Sequence, residues 1–180
     1  PSVSWSGLPS PSFTAGKRRS ALRKYDPVFD DAPAKSAAEA SSFSSASDRV
    51  CELVFNTSMA GYQEIMSDPS YTDQAVVFTY PLIGNYGMAA DDYETDTPTV
   101  GALVVREYND SPSNFRSLSA LDEVMRRYGI PGICGVDTRR ITKKIRERGV
   151  MNAMLTDTLP ADFSAVAAYR VQNAVAGVSC

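Results

Sequence analysis

The chain has 180 residues, a mass of 19.5 kDa and a formal net charge of −3 at neutral pH. This length suffices for one domain with its own hydrophobic core, and a content of 43% hydrophobic residues is typical of globular proteins. The charge supplies no broad basic field for phosphates, so no nucleic acid partner is expected. No apolar run approaches the roughly 18 residues of a membrane-spanning helix, so no transmembrane segment is expected either.

The chain contains no histidine, which excludes the commonest catalytic arrangements. Serine and cysteine nucleophiles are usually activated by an imidazole, and most zinc sites contain one. The three cysteines, Cys51, Cys134 and Cys180, are far apart and outside any C-x-x-C spacing, which argues against a disulfide framework and a zinc site. Catalysis by carboxylates or lysine remains open, but no nucleotide-binding glycine motif is present. We therefore expect no cofactor and no metal.

The first 49 residues are rich in Ser, Ala and Pro and carry a small basic cluster at 17–24. Such a composition buries too little apolar surface to offset the entropy of ordering, so we predict an extended arm over 1–49 and a globular domain over 50–180. The arm is expected to become ordered only against another protein chain. A Ser-rich start that contains Arg is also typical of residues near an organellar transit peptide, which indicates a plastid or mitochondrial location. A plain disordered tail is the alternative.

Strands are predicted next along the chain. VCELVF, QAVVFTYP and VGALVVREY are rich in β-branched residues, and they predict strands over 50–55, 74–81 and 100–108. A helix is predicted in SLSALDEVMRRYG, where Ser119 and Asp122 have capping-box-like spacing and Gly129 suits the left-handed stop. Its inward face is predicted from the spacing of five apolar residues, Leu118, Leu121, Val124, Met125 and Tyr128.

The last third of the chain alternates predicted strands and helices. A strand over 133–136 precedes a helix that Asp137 or Thr138 caps, with Ile141 and Ile145 inward and Gly149 at its end. VMNAMLT predicts a further strand, and residues 160–174 predict an amphipathic helix that carries Val166 and Val171. This order predicts an α/β fold of the mixed α+β kind, with a mixed sheet.

Several blocks of this sequence occur together in one known family. FNTSMAGYQEIMSDPSY, FTYPLIGNYG, GALVVREY, SNFRS and YGIPGICGVDTRRITKKIRERG resemble the N-terminal domain of the small subunit of glutamine-dependent carbamoyl phosphate synthetase. The resemblance covers about residues 51–180. It implies a three-layer β/β/α domain that docks on the large synthetase subunit. It also implies that glutamine is hydrolysed in a separate amidotransferase domain further along the chain, which does not lie within these 180 residues.

The resemblance assigns one ligand contact. The serine of DPSY, Ser70, matches a residue that contacts the glutamine held mainly by the amidotransferase domain, and a hydroxyl can orient an amide without reacting. Judged from the residues alone, Asp68-Pro69-Ser70 is a turn, in which Pro fixes φ and Asp or Ser satisfies exposed amides. Without the amidotransferase domain we favour the structural role of a turn serine.

The second predicted helix carries six basic residues that could bind an acidic protein surface, since guanidinium groups pair with carboxylates through two hydrogen bonds. We define this basic helix by Arg139, Arg140, Lys143, Lys144, Arg146 and Arg148. The alternative is an ordinary solvated helix face.

The sequence departs from the family ahead of FNTSM. The family has a strand pair there, whereas residues 20–42 show no apolar alternation, so an unpaired sheet edge is expected. A partner segment or the arm near residues 29–43 is expected to cover it. We therefore favour a non-catalytic structural or assembly subunit that docks on a larger protein complex in an organelle. The alternative is an N-terminal fragment of the glutaminase subunit that contacts the large subunit.

Overall fold

The structure is a computed structural model in which residues 21–23, 40–45, 48–156 and 162–172 are described. Its strands are β1 (Ala21–Arg23), β2 (Ser41–Ser42), β3 (Arg49–Asn56), β4 (Gln74–Phe78), β5 (Leu82–Ile83), β6 (Ala102–Val104), β7 (Glu107–Tyr108), β8 (Gly132–Cys134) and β9 (Met151–Thr156). Its helices are α1 (Tyr62–Ser67), α2 (Leu121–Arg127), α3 (Thr138–Arg148) and α4 (Ser164–Ala168), with a 3-10 turn at Pro69–Tyr71. None of these helices is long and apolar enough to cross a membrane.

The large sheet is mixed, as predicted. Its strand order is β1-β9-β3-β4-β6-β8-β2, and β5 and β7 form a separate two-stranded sheet. The centre of the sheet is parallel, with β4 pairing in parallel with both β3 and β6, and β6 pairing in parallel with β8. Strand β9 runs antiparallel to β3. Parallel strands need both faces covered, which explains why four of the five residues of β4 are buried.

Three layers result from this arrangement. One face of the large sheet packs against α1, α2 and the small sheet, in a cluster that includes Val76, Leu103, Tyr62 and Met125. The other face packs Ala75 and Val77, among others, against α3 through Ile145. The α/β fold of the mixed α+β kind, with a three-layer β/β/α-like arrangement, is therefore confirmed. Each fully buried aliphatic or aromatic side chain contributes about 1.5–3 kcal/mol.

The strand predicted over 100–108 is wrong as a single element. It divides into β6 and β7, which belong to different sheets. The backbone N–H of Val105 still bonds to the Ile133 carbonyl in β8, but that of Glu107 bonds to the Pro81 carbonyl just before β5. The change of partner falls at Arg106, where the side chains turn from buried to exposed.

Helix α2 begins later than predicted. Its N-cap is Ala120 rather than Ser119, and the Glu123 carboxylate accepts a hydrogen bond from the Ala120 amide at 3.3 Å. Ser119, just before this N-cap, lies in a β-bridge with Met88, because the Met88 amide donates to the Ser119 carbonyl at 3.0 Å. Leu118 is consequently 76% exposed rather than inward, and Tyr128 is 40% exposed. The left-handed stop at Gly129 is confirmed by its φ of +66°.

The remaining elements agree more closely with the ranges predicted from the sequence. Asp137 caps α3, since its Oδ1 accepts from the Arg140 amide at 2.9 Å, and Gly149 follows the helix at φ +81°. Strand β8 ends two residues earlier than predicted. Helix α4 covers five residues of the predicted range 160–174, where Val166 is buried but Val171 lies beyond the helix.

Two short strands from the N-terminal region lie beside outer strands of the large sheet. Strand β1 pairs with β9, and β2 pairs with β8. The prediction that the arm near 29–43 covers an edge is confirmed at Ser41–Ser42, while residues 24–39 lie outside the described residues. The expectation that residues 1–49 need a partner chain for order is wrong at β1 and β2, which pair with this chain. The domain boundary between residues 49 and 50 stays a prediction.

Candidate functional site

The block FNTSMAGYQE is held to the block IGNYG by two tyrosines. Gly61 is the N-cap of α1 and adopts a left-handed φ of +82°. The Tyr86 hydroxyl oxygen accepts hydrogen bonds from the amides of Gly61 and Tyr62, each at 2.8 Å. The rings of Tyr62 and Tyr86 stack with centroids 4.0 Å apart, and the Tyr62 hydroxyl donates to the Gly87 carbonyl at 2.8 Å. The tyrosines therefore satisfy the exposed amides at the start of α1.

A buried glutamine makes a second connection between the same blocks. Gln63 is fully buried, and its Nε2 donates to the Ala89 carbonyl at 2.6 Å while its Oε1 accepts from the Ala89 amide at 2.8 Å. Ser67, also buried, accepts from the Glu94 amide at 3.0 Å. Burying such polar groups costs free energy unless they are paired, and here the amide and the hydroxyl have partners.

Gly87 is required where these blocks meet the loop before α2. Its φ is +68°, and a Cβ added there would come within 1.9 Å of Ser117 Oγ. An L-residue would thus meet both backbone strain and a steric clash. The FNTSM and IGNYG blocks are accordingly explained first by packing and backbone geometry.

Ser70 lies on the surface in the 3-10 turn Pro69–Tyr71. Its amide donates to Asp68 Oδ1 at 2.8 Å, which confirms the predicted turn role of Asp68. The neighbouring Tyr71 hydroxyl accepts from Asn56 Nδ2 at 3.1 Å, so the DPSY turn is tied to the end of β3. The backbone of Ser70 is fixed while its side chain is exposed. This arrangement leaves the hydroxyl accessible to a ligand supplied from outside.

One polar group beside this block is not satisfied within the described residues. Glu64 stands at the third position of α1, where a capping box would direct its carboxylate to the N-cap amide. Tyr86 already accepts from that amide, and Glu64 Oε2 is buried with no hydrogen-bond partner there. The sequence did not reveal the hydrogen-bonding roles of Tyr86, Gln63 and Glu64. Gln63 and Glu64 could have been indicated by their positions just after Gly61, whereas Tyr86 is distant from Gly61 in sequence.

The basic helix packs one face on the large sheet and exposes the other. Thr138, Thr142 and Ile145 are buried, and Ile141 is half-buried. The six basic side chains are exposed except that of Lys144, which is half-buried. Lys143 lies 3.9 Å from Glu147, a weak and solvent-exposed pair. The structure thus brings Arg139, Arg140, Lys143 and Arg146 to the surface, and nothing in it places Ser70 beside them.

The described cysteines offer no activated nucleophile. Burial raises the pKa of the Cys51 thiol from its ordinary 9.0 to about 12, so it stays protonated at neutral pH. Cys134 is half-buried, with its Sγ 3.2 Å from Ser41 Oγ. Among the described residues, no group of three or more Cys, Asp or Glu side chains could hold a metal ion.

Comparison with known proteins identifies the family. The family described as carbamoyl-phosphate synthase small chain, CPSase domain, matches residues 34–155. The chain belongs to the carbamoyl phosphate synthase small-chain family. Residues outside the match include the first part of the arm and α4.

Three bacterial proteins named carbamoyl phosphate synthase small chain illustrate the similarity. The chain is 59% identical to that of Staphylococcus haemolyticus over 108 residues, which are 60% of this chain and 30% of the relative. It is 56% identical to that of Fusobacterium nucleatum over 108 residues, again 60% of this chain and 30% of the relative. For Oceanobacillus iheyensis the identity is 52% over 115 residues, or 64% of this chain and 31% of the relative. The matched region thus spans about a third of the length of these small chains.

These relatives bear on the two functions that the sequence left open. They favour the alternative, a portion of the synthase small chain, and they give no support to a stand-alone, non-catalytic assembly subunit. They are bacterial, so they give no support to a plastid or mitochondrial location either.

Proposed function

We propose that the chain is the N-terminal portion of the small chain of a glutamine-dependent carbamoyl phosphate synthase. Its role there is to contact the large chain and to help form the glutamine site without supplying a catalytic group. The observation that carries this proposal is the 59% identity to a small chain of which the match covers only 30%. Identity at this level over 108 residues argues for the same structural place in the relative. Glutamine hydrolysis would belong to the remaining part of such a small chain.

In this proposal Ser70 contacts the amide or carboxylate of glutamine. Its side chain is exposed, and Asp68 holds its backbone in a fixed turn, so the hydroxyl can be presented without further ordering. A hydroxyl can donate one hydrogen bond and accept two. Ser70 is therefore a positioning group for substrate, and the residues that break the amide bond lie elsewhere.

The basic helix is proposed as the contact for an acidic surface of the large chain. Arg139, Arg140 and Arg146 are exposed, and no described carboxylate forms an ion pair with them. Such exposed cations accelerate and orient association more than they strengthen it. The contact is expected to weaken as salt rises.

The proposal is tested by measuring glutamine hydrolysis with the 180-residue chain and, separately, with the whole small chain. The purified 180-residue chain should release no ammonia from glutamine, whereas the whole small chain that contains it, bound to its large chain, should do so. Ser70→Ala in the whole small chain should raise the KM for glutamine with a smaller effect on kcat, since it removes a substrate contact. Ser58→Ala is the control, because Ser58 is an exposed serine whose amide, not its hydroxyl, makes the local hydrogen bond. Ammonia release by the isolated 180-residue chain that Ser70→Ala abolishes would contradict the proposal.

A further inference from the structure

The turn that carries Ser70 is tied to the large sheet by a hydrogen bond between two side chains. Tyr71 follows Ser70 directly in the 3-10 turn, and its hydroxyl oxygen accepts from Asn56 Nδ2 at 3.1 Å. Asn56 is the last residue of β3 and pairs with Phe78 at the end of β4. The hydrogen bond therefore joins the turn to the carboxyl ends of two parallel strands in the middle of the sheet.

The Asn56 side chain is held in the orientation that this hydrogen bond requires. Its Oδ1 accepts from the Ser58 amide at 2.7 Å, so its Nδ2 is directed towards Tyr71. Its backbone carbonyl accepts from the Thr79 amide at 3.1 Å, which fixes the backbone of Asn56 beside β4. Asn56 and Tyr71 are both half-buried, so the hydrogen bond is partly shielded from water. A donor that is already oriented loses little conformational entropy in holding the tyrosine.

A second set of hydrogen bonds holds the chain just after the turn. Thr72 Oγ1 donates to the Pro69 carbonyl at 2.7 Å, so it is the acceptor in its 2.8 Å contact with Thr99 Oγ1. The Asp73 amide donates to the Thr99 carbonyl at 3.0 Å. Asp73 also has a φ of +57°, which is uncommon for a residue other than glycine. The segment before β6 therefore anchors the turn on the side that Asn56 does not reach.

The backbone of the turn alone determines where the Ser70 hydroxyl lies. The side chain is exposed, and its Oγ forms no hydrogen bond with any of the described residues, whereas the Ser70 amide donates to Asp68 Oδ1. A hydrogen bond weakens when its distance and angle leave a narrow range. A small shift of the turn would therefore weaken any contact that the Ser70 hydroxyl makes.

We propose that Asn56 and Tyr71 are positioning residues for the substrate contact at Ser70. This inference rests on the proposed function, because it takes Ser70 as a contact of glutamine. Tyr71 holds the turn through its hydroxyl and Asn56 holds Tyr71, so both act through Ser70 rather than by touching the substrate. Without their hydrogen bond the turn can move about its remaining anchors, and the Ser70 hydroxyl is less often in place for glutamine. The effect on glutamine binding therefore exists only while Ser70 keeps its hydroxyl.

The test measures glutamine hydrolysis by variants of the whole small chain bound to its large chain. Tyr71→Phe removes only the acceptor of the hydrogen bond. It should raise the KM for glutamine by about three- to tenfold, the range expected for loss of one hydrogen bond, and change kcat by less than about twofold. In a Ser70→Ala background the same substitution should leave the KM unchanged, since the group that it positions is absent. Asn56→Ala removes the donor and should give the same two results; where this variant does not fold, Tyr71→Phe decides.

Tyr108→Phe is the matched control. Tyr108 is also half-buried, and its hydroxyl donates to Asp122 Oδ1 at 2.7 Å, so this variant loses a hydrogen bond that joins β7 to α2 rather than one that holds the turn. Its KM for glutamine should stay within about twofold of the wild-type value. Assays well below the unfolding midpoint of every variant exclude loss of folded protein as the cause of a raised KM.

Four results would overturn the inference. An unchanged KM in Tyr71→Phe, while Ser70→Ala raises it, would show that the hydrogen bond does not position Ser70. An equal rise from Tyr71→Phe with and without the Ser70 hydroxyl would mean that Tyr71 acts independently of Ser70. A rise of the same size in Tyr108→Phe would show a general effect of losing a tyrosine hydroxyl. These three results leave the glutamine contact at Ser70 standing, whereas an unchanged KM in Ser70→Ala itself would reject that contact and the inference together.

Discussion

Tyr86 contacts Tyr62 through both its hydroxyl group and its ring. The Tyr86 hydroxyl accepts from the Tyr62 amide at 2.8 Å while the two rings stack 4.0 Å apart. The same hydroxyl accepts from the amide of Gly61, 25 residues away in sequence. One oxygen atom thus satisfies two amides at the start of α1. This relationship explains why the GYQE and IGNYG blocks belong together, and it places the DPSY turn that follows α1.

Removing that oxygen should destabilise the fold. Tyr86→Phe keeps the stacked ring but leaves the amides of Gly61 and Tyr62 without their acceptor, so we expect the free energy of unfolding to fall by about 1–3 kcal/mol. Urea denaturation of the 180-residue chain measures this change. Tyr80→Phe is the control, because Tyr80 is also half-buried but its hydroxyl makes no hydrogen bond within the described residues. A loss for Tyr86→Phe no larger than for Tyr80→Phe would show that the amides find other partners.

Cys51 should make the fold sensitive to alkaline pH. Burial holds the pKa of its thiol near 12 in the folded chain, against an ordinary value of 9.0 when exposed. The unfolded chain therefore loses this proton first, and stability falls as pH rises from about 9 towards 12, with a limiting slope of about 1.4 kcal/mol per pH unit. Below pH 9 the Cys51 thiol is protonated in both the folded and the unfolded chain, so its effect on the free energy of unfolding does not change with pH. Denaturation at several pH values should show a shallower alkaline slope for Cys51→Ala than for the wild type.

Cys134→Ala is the control for replacing a cysteine by alanine, because it removes a half-buried thiol elsewhere in the fold. Thiol labelling gives a second readout. In a Cys180→Ser background at pH 8, Cys134 should react in the folded chain and Cys51 only after unfolding. Equal labelling rates for the two thiols in the folded chain would contradict the burial of Cys51.

Reversing charge on the basic helix should weaken binding to the large chain in a salt-dependent way. Arg139→Glu and Arg146→Glu together reverse two exposed cations, the same number as in the control below, each worth about 0.2–1 kcal/mol. The whole small chain carrying them should show a higher Kd at low salt and a near-normal Kd at high salt. Surface plasmon resonance at several salt concentrations measures this, with Arg106→Glu and Arg127→Glu as a control for net charge. An equal effect of both sets would mean that net charge, rather than the basic helix, matters.

Local patterns account for the parts of the fold that the sequence predicted well. Strand β4 follows from its run of β-branched residues, and α3 follows from the Asp137 cap and the spacing of Ile141 and Ile145. The split of 100–108 into β6 and β7 could not be predicted, because it depends on Pro81 and Ile133, which lie far away in sequence.

The candidate site was less predictable than the fold. The turn at Asp68 is local and was predicted, but the role of Tyr86 depends on a contact 25 residues away. A glutamine contact at Ser70 cannot be derived from an exposed serine, and it comes only from the family resemblance. Strands β1 and β2 were missed because segments of three and two residues are too short to show any alternation, and these strands are defined by their pairing with β9 and β8.

The mass of the native polypeptide, measured together with the proteins that copurify with it, tests the central claim most directly. Intact-mass spectrometry of the native protein should find these residues within a polypeptide well above 19.5 kDa, since the matched region is about 30% of the relatives. A larger synthase chain should copurify in equal amount. A native polypeptide of 19.5 kDa that copurifies with an unrelated complex would contradict the account.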